Sequence, residues 1–297
     1  MKCPQCNEPV MESDAFCGAC GAALMRALSF GGAGEAVPGA ALPTISSLRH
    51  PKESAYFMVA AAAAVFAWLV FVWIALLLFW VVLPVAVALW IVDRLYRAQL
   101  LGNSIQVRPG QFPEIFQLFT TYCERLRMSR VPEVFIVNGN GAMNAIAVRM
   151  LRDKYVLLLG DLVDVTLASG LPSLGFVLGH ELGHHALGHT SPLRNLFLWP
   201  SKFVPFLGPA YARACELSAD RVGLWLAGRS EAAMRGLAAL ACGSRALTAA
   251  VNVDVLKEQE SAMSGVFAFL STVFSTHPRI TQRIVELEAF AVEKANC

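Results

Sequence analysis

The sequence predicts a mostly α-helical α+β domain with a small β-sheet, preceded by a transmembrane helical hairpin and a cysteine-rich N-terminal unit. Three observations predict this organisation. Apolar residues make up 56% of the 297 residues and charged residues only 15%, against roughly 25% charged in ordinary soluble domains. Residues 55–92 contain no charged side chain. Four of the eight cysteines lie within the first twenty residues.

The composition excludes some classes of protein and favours a membrane as partner. The apolar content is too high for a disordered chain, and it argues against a water-soluble single-domain enzyme. The net charge of +2 is too close to neutral for nucleic acid to be the main partner. We therefore expect the lipid bilayer, and not nucleic acid, to be a partner of this chain.

The N-terminal unit, residues 1–20, contains two cysteine pairs. Cys3 and Cys6 form one pair, and Cys17 and Cys20 form the second, with ten residues between the pairs. Four thiolates at this spacing suit a structural Zn²⁺ with no open coordination position. We predict a zinc ribbon in a reducing compartment. The alternative is a redox or disulfide role for these cysteines, and the partner of the ribbon is unknown.

A flexible linker is predicted for residues 21–54, which are rich in Gly, Ala, Pro and Ser. If the uncharged residues 55–92 formed one helix, that helix would be about 57 Å long, nearly twice the hydrocarbon thickness of a bilayer. Two spans joined by a tight reversal fit better than one strongly tilted span. Basic residues flank this segment on both sides: Arg49, Lys52, Arg94 and Arg97. Positive charge at both ends predicts that both ends are cytoplasmic.

Residues 93–297 have the composition of a globular domain. Its first part has the periodicity of a helix at 112–129 and of strands at 133–137, 143–149 and 154–159, and residues after Leu162 are mostly helical in pattern. Residues 193–211 are apolar but contain Pro200, Lys202, Pro205 and Pro209. This segment is too broken for a span, so we expect a loop or short helices near the membrane surface.

The most informative stretch is Gly179-His180-Glu181-Leu182-Gly183-His184. On a helix, His180 and His184 lie one turn apart on the same face, so both imidazoles can bind one catalytic Zn²⁺. Glu181 lies where its carboxylate can take a proton from a water activated by the metal. The apolar residues before the motif have the helical periodicity that this interpretation requires.

A third metal ligand is expected from a later helix. A third histidine in the pattern H-E-x-x-H-x-x-G-x-x-H is excluded, because Leu187 and Thr190 occupy the required positions. His185 and His189 are therefore expected behind the ligands or at the surface. Glu216 and Asp220 are four residues apart and share a helix face. Glu216 can then bind zinc while Asp220 accepts a hydrogen bond from a ligand histidine.

With these residues in place, the sequence resembles the membrane zinc peptidases of the HtpX-like and CAAX-prenyl-protease type, a gluzincin group. The zinc motif and the later Glu216-x-x-x-Asp220 carry the resemblance. Asn144-Ala145-Ile146-Ala147 resembles the edge strand of this family, and Thr276-His277-Pro278 with Arg283-Ile284 resembles its late signature. The resemblance covers roughly residues 90–290. The zinc ribbon is an addition to it, and the best-known members carry extra spans before the third ligand.

The resemblance implies a zincin-type catalytic domain and roles for further residues. His277 would donate a hydrogen bond to the oxyanion of the tetrahedral intermediate, and Arg283 would hold His277 or the substrate. Alternatively, His277 only marks a helix start and Arg283 is a surface charge. The strand with Asn144, Ala145, Ile146 and Ala147 would pair with the backbone of an extended substrate. Alternatively, it is an ordinary strand covered by the chain.

The expected function is that of a membrane-anchored zinc endopeptidase with a cytoplasmic active site. Its substrates would be proteins or peptides, including misfolded membrane proteins. One alternative is a site-2-type intramembrane protease, against which Asp161, Asp164 and the cluster of histidines argue. Another is a non-proteolytic membrane adaptor that uses the zinc ribbon, against which Glu181 argues. Two spans are too few for the intramembrane chamber of a CAAX-type protease.

Overall fold

The start of the described chain packs against the globular domain. The computed structural model describes residues 44–77, 79–139, 141, 144–149, 153–263 and 265–295. The predicted zinc ribbon and residues 21–43 of the predicted linker lie outside these residues. Residues 44–54, which we expected to belong to the linker, form a 3₁₀ helix (Ile45–Leu48) and the beginning of a long helix. Leu48 is fully buried in the main core, which ties this segment to the domain.

Two long helices, α1 (Pro51–Leu77) and α2 (Phe79–Asn103), contain the uncharged segment. Within the described chain, one stretch is long and apolar enough to cross a membrane, Pro51–Val72 of α1, and it is mostly exposed. In α2 only residues 79–92 are uncharged, a length of about 21 Å that falls short of the roughly 30 Å hydrocarbon core. One candidate span is therefore found where two were predicted.

The sheet is small and mixed. Its strands are β1 (Ile105–Gln106), β2 (Glu133–Val137), β3 (Ala145–Arg149) and β4 (Lys154–Leu159), in the spatial order β1-β2-β4-β3. β2 and β4 are parallel, whereas β1 and β3 pair antiparallel to their neighbours. The predicted strands at 133–137 and 154–159 match β2 and β4, and β3 begins two residues later than predicted. β3 lies at one edge of the described sheet, in register Ile146 to Leu157.

The rest of the domain is helical, as expected. The predicted helix at 112–129 is shorter, since it ends at Arg125. The broken apolar segment 193–211 contains short helices, one of the two outcomes expected for it: a 3₁₀ helix (Trp199–Phe203) follows α6 (Pro192–Leu198). The remaining helices are α3 (Pro113–Arg125), α4 (Gly160–Ala168), α5 (Leu171–Ala186), α6 (Pro192–Leu198), α7 (Leu207–Ala227), α8 (Ser230–Cys242), α9 (Arg245–Ala250), α10 (Val253–Ser261), α11 (Gly265–Thr272) and α12 (Ile280–Ala295).

The core is built around α5, which is buried along most of its length. α5 lies between the sheet, α7 and α8, so its apolar residues fill the centre and its last turns reach the cleft. Small residues let α5 and α7 approach closely. A Cβ on Gly179 would lie 3.1 Å from the Cα of Gly223, and one on Gly183 would lie 3.0 Å from the Cβ of Val222. This close approach brings the functional side chains of the two helices together.

Candidate metal centre

Side chains from α5 and α7 converge at one point. The Nε2 of His184 lies 3.1 Å from the Nε2 of His180 and 3.3 Å from Oε1 of Glu216. The Nε2 of His180 lies 3.6 Å from Oε2 of Glu216. The ligand atoms of the three residues all lie within 4.8 Å of one another. His180 and Glu216 are buried and His184 is partly buried, so these polar atoms have limited access to water.

The donor set fits zinc. Ligands about 2.0–2.1 Å from a tetrahedral Zn²⁺ are separated from one another by about 3.3 Å, close to the three observed separations. Two imidazoles and one carboxylate are a known catalytic zinc set that leaves a coordination position open. Although burial raises it, hydrogen bonds from His180, His184 and His277 hold the pKa of Glu216 well below its ordinary value. Glu216 is therefore ionised, as a ligand must be.

Asp220 orients His180 from behind. Its Oδ1 lies 2.8 Å from Nδ1 of His180, which leaves Nε2 to face Glu216 and His184. Arg283 donates to both carboxylate oxygens of Asp220, at 2.6 Å from Nη2 and 2.8 Å from Nε. Although burial raises it, the pairing with Arg283 keeps the pKa of Asp220 below its ordinary value. Asp220 therefore lies where its carboxylate can accept the predicted hydrogen bond from His180, and Arg283 binds Asp220 and also lines the cleft. The predicted contact of Arg283 with His277 or a substrate stays a prediction.

Glu181 follows His180 on α5 and is buried. It lines a cleft of about 550 Å³ that also contains His180, His184 and Glu216. A carboxylate that shares a cleft with the candidate metal ligands can accept a proton from a water that attacks a bound carbonyl. The geometry therefore permits the role that the sequence predicts for Glu181.

His277 reaches the centre from the loop before α12. Its Nδ1 lies 3.1 Å from Oε2 of Glu216, and its side chain is 69% exposed at the cleft. The structure thus places His277 beside a candidate metal ligand, with its second ring nitrogen not engaged by Glu216. Its predicted contact with an oxyanion stays a prediction.

The cleft has the edge strand as one wall. Asn144 and the first residues of β3 line it, with Ile146 exposed and Ala145 buried. β3 pairs with β4 on one side, and no other described strand pairs with its second side. The predicted substrate-binding residues Asn144, Ala145, Ile146 and Ala147 therefore lie next to the candidate metal centre, and their pairing with substrate stays a prediction.

The end of α5 and the connection to α6 contribute further residues at this centre, two of which escaped the sequence analysis. Thr190 and Asn195, from the connection between α5 and α6, line the cleft, and no local pattern marks them. His185 is buried, and its ring nitrogens lie 2.9 Å from the carbonyl oxygen of Tyr155 and 2.9 Å from Oγ1 of Thr190. His185 thus links α5 to β4 and faces away from the ligands. His189 lies directly behind His184, at 3.0 Å.

Comparison with known proteins identifies one family. The family model described as Peptidase family M48 matches residues 109–197 and 196–291, which is more than half of the chain. The match includes α5 and α7, which carry His180, His184 and Glu216. The search of curated proteins and the search of solved structures found no significant match.

Proposed function

Because the chain belongs to peptidase family M48, whose members are zinc metallopeptidases, we propose that it is a membrane-anchored zinc endopeptidase of the HtpX-like type. The observation that carries this proposal is the convergence of His180, His184 and Glu216 on one point beside Glu181. Within the family, the candidate span in α1 and the edge strand at the cleft favour an enzyme that cleaves extended segments of proteins near a membrane.

In the proposed reaction, His180, His184 and Glu216 would hold Zn²⁺ in the cleft. The metal, when bound, polarises the scissile carbonyl and lowers the pKa of a water to about 7. Glu181 accepts the proton of the attacking water and passes it to the leaving amine. His277 donates to the developing oxyanion. Asp220, held by Arg283, fixes the ring of His180.

Substrate binding is assigned to the edge strand. An extended peptide would add to β3 by backbone hydrogen bonds, starting at Asn144. Such pairing tolerates many side-chain sequences, because the bonds involve the backbone alone. Misfolded proteins of the membrane and its surface fit this mode of binding, and we propose them as substrates.

The membrane environment is proposed from exposed apolar surface. Residues 193–206 and 265–274, which we call the apolar rim, carry large exposed side chains: Leu193, Leu196, Phe197, Trp199, Phe203, Val204, Phe206, Val266, Phe267, Phe269, Leu270 and Phe274. Contacts join this rim to α1. The indole Nε1 of Trp68 on α1 donates to the carbonyl of Phe197 at 2.9 Å. The two segments of the rim also contact each other, since the rings of Phe206 and Phe274 lie 5.3 Å apart. We propose that the rim rests in the cytoplasmic leaflet and holds the cleft at its surface.

Three parts of the proposal rest on the sequence. Residues 1–20 would bind a structural Zn²⁺ through Cys3, Cys6, Cys17 and Cys20. Residues 79–92 would complete a second, short span, and the flanking basic residues would keep both ends cytoplasmic. An intramembrane site of the site-2 type is not favoured, because α5 is enclosed by protein and is not a candidate span among the described helices.

The test is cleavage by the purified full chain in detergent. Casein and an unfolded membrane protein serve as substrates, with a chelator as control. Glu181→Gln should abolish cleavage while bound zinc is retained, because Glu181 moves protons and does not hold the metal. Surviving proteolysis in this variant would contradict the mechanism. If the wild type binds zinc and cleaves nothing, a non-proteolytic adaptor is the better interpretation.

A further inference from the structure

A chain of contacts leads from the first turn of α1 to a candidate metal ligand. The Nδ1 of His184 lies 3.0 Å from Nδ1 of His189, and Nε2 of His189 lies 3.1 Å from Oε1 of Glu53. Glu53 is fully buried, at 0% exposure, although it lies at the beginning of the candidate span. Glu53 and His189 are 136 residues apart, so the fold alone brings them together.

Metal binding would determine every proton position in the series of contacts from Glu53 through His189 to His184. His184 faces the metal centre with Nε2, so its Nδ1 must carry the proton. The Nδ1 of His189 then has to accept that proton's hydrogen bond, and its Nε2 has to carry a proton of its own. That second proton points at Oε1 of Glu53. The result is an unbroken carboxylate–imidazole–imidazole chain that ends on the metal ligand.

Two guanidinium groups hold the carboxylate of Glu53. Nη1 of Arg49 lies 2.6 Å from its Oε1, and Nη2 of Arg194 lies 3.4 Å from the same atom. Both arginines also donate to the carbonyl of Leu187 at the end of α5, at 3.0 and 2.9 Å. The beginning of α1 and the end of α5 are thereby clamped together.

The pairing of Glu53 with two arginines also decides between two possible roles of Glu53, which are support of His184 and binding of a second cation. Glu53, His189 and Cys215 have ligand atoms within 4.8 Å of one another, which could suggest a second cation site. The two arginines already neutralise Glu53, and a divalent cation would lie beside two positive charges. The contacts favour the chain to His184 over a second metal.

We propose that Glu53 is a positioning residue for the catalytic zinc and that Glu53 acts on the ligand His184 through His189. The first turn of the membrane helix α1 thereby sets the orientation and basicity of a zinc ligand, and the membrane anchor is coupled to zinc affinity. This inference rests on the proposed function, because it requires that His184 bind the metal.

The experiment measures zinc affinity of the full chain in detergent, by competition with a chelating indicator. The zinc that is followed is the one lost in His180→Ala. His189→Leu should weaken its binding about 10- to 100-fold, the usual effect of removing a group that supports a ligand histidine. His189→Asn should recover part of the affinity, since its side-chain oxygen can accept from Nδ1 of His184. Glu53→Gln should give a smaller loss in the same direction.

The matched control is His185→Leu. His185 is a buried histidine with two polar contacts near the same helix end, but it does not contact His184 through a hydrogen bond. Replacing His185 should lower the melting temperature and leave the zinc affinity within about twofold of the wild-type value. Loss of a group that supports a ligand histidine would instead weaken zinc binding at least about 10-fold. If His189→Leu and His185→Leu lose the same affinity, the role of His189 is merely structural and the inference fails.

A double-mutant cycle tests whether Glu53 acts on His184 through His189. If Glu53 acts through His189, Glu53→Gln should not weaken zinc binding further in the His189→Leu background. Additive losses would overturn the proposed route. If the wild type and His180→Ala bind equal amounts of zinc, the proposed function itself fails. If the wild type binds this zinc but His189→Leu binds it equally tightly, only the inference about Glu53 fails.

A measurement on the wild type covers the case in which the variants do not fold. Nitrogen-15 NMR of histidine-labelled, zinc-loaded protein should show His184 protonated at Nδ1 and His189 protonated at Nε2 alone. A His189 ring protonated at Nδ1 would donate toward His184 instead of accepting from it, and this result would refute the chain.

Discussion

Gly179 of α5 and Gly223 of α7 lie face to face, and a Cβ on Gly179 would come within 3.1 Å of the Gly223 Cα. At this distance the two helix backbones touch, with no side chain between them. His180 follows Gly179 directly, Asp220 precedes Gly223 by about one turn, and Glu216 precedes it by about two turns. The separation of the two helices is therefore also the separation between the histidines and their acidic partners.

The first prediction is that Gly223→Ala loosens the metal centre. The new methyl group would lie 2.8 Å from the carbonyl oxygen of Phe176 and 3.1 Å from the amide nitrogen of His180, both backbone atoms that cannot move aside. Overpacking of this kind costs about 1–3 kcal/mol. We expect a lower melting temperature and weaker zinc retention. Gly102→Ala, where no atom lies within 4 Å of the added Cβ, is the control and should be neutral or slightly stabilising.

The second prediction concerns the buried pair of Arg283 and Asp220. Arg283→Met leaves the carboxylate of Asp220 buried without a counter-ion, which costs about 3–5 kcal/mol. Arg283→Lys keeps the charge but loses the two-pronged contact, so its cost should be smaller. Thermal unfolding in detergent measures both. The exposed pair Arg235–Glu231 offers a control, and Arg235→Met should change stability by less than about 1 kcal/mol. Equal costs at the two sites would contradict the assignment.

The third prediction is a pH dependence at the loop that carries His277. Arg279 donates to Glu260 on α10 and, at 2.8 Å, to the carbonyl of Ala268 on α11. The hydrogen bond from Arg279 lowers the pKa of Glu260 below its ordinary value. The stabilisation is therefore present above the unfolded-state pKa of about 4.3 and is lost as the pH falls through the folded-state pKa.

Glu260→Gln tests this dependence. The melting temperature of the variant should lie below that of the wild type at neutral pH, and the difference should shrink as the pH is lowered below about 4. Melting curves between pH 7 and pH 3 measure it, with the exposed Glu231→Gln as control. A difference that stays constant with pH would mean that the ion pair does not stabilise this loop.

The fourth prediction is the metal content. We expect two zinc ions per full-length chain, because the four N-terminal cysteines and the candidate metal centre are separate donor sets. Replacing Cys17 and Cys20 with serine should remove one ion and leave proteolysis of a soluble substrate. Replacing His184 with alanine should remove the other and abolish proteolysis. Atomic absorption measures both. One zinc ion in the wild type that survives the cysteine replacements would exclude the ribbon.

The fifth prediction tests the apolar rim. Phe267 and Phe274 are each 74% exposed, and burying one such side chain contributes about 1.5–3 kcal/mol. Replacing both with aspartate should reduce cleavage of a membrane-inserted substrate in proteoliposomes and leave cleavage of casein in detergent unchanged. Leu247→Asp, an exposed leucine on α9 outside the rim, should alter neither. Equal losses on both substrates would point to damage of the cleft.

Patterns that repeat over a few residues were predictable. Strands at 133–137 and 154–159 match β2 and β4, because a strand of apolar, β-branched residues is marked by its own composition. The candidate metal ligands of α5 could be predicted for a similar reason, since one helical turn sets their relative position. The two predicted spans fared worse. In α2, Asp93 and Arg94 follow after 14 uncharged residues, too few to cross the hydrocarbon core. Among the described helices, only α1 meets the length and composition of a span.

The amino-acid sequence alone determined the family's zinc motif, the spacing of Glu216 and Asp220 and the uncharged helix, because each is a relation between near neighbours along the chain. Tertiary structure alone decided which charged side chains pair with the groups behind the candidate metal ligands. Arg283 meets Asp220 across 63 residues, and Glu53 meets His189 across 136. No local pattern predicts either of these two pairings, since the burial and pairing of such charges depend on how the helices pack and not on the residues beside them.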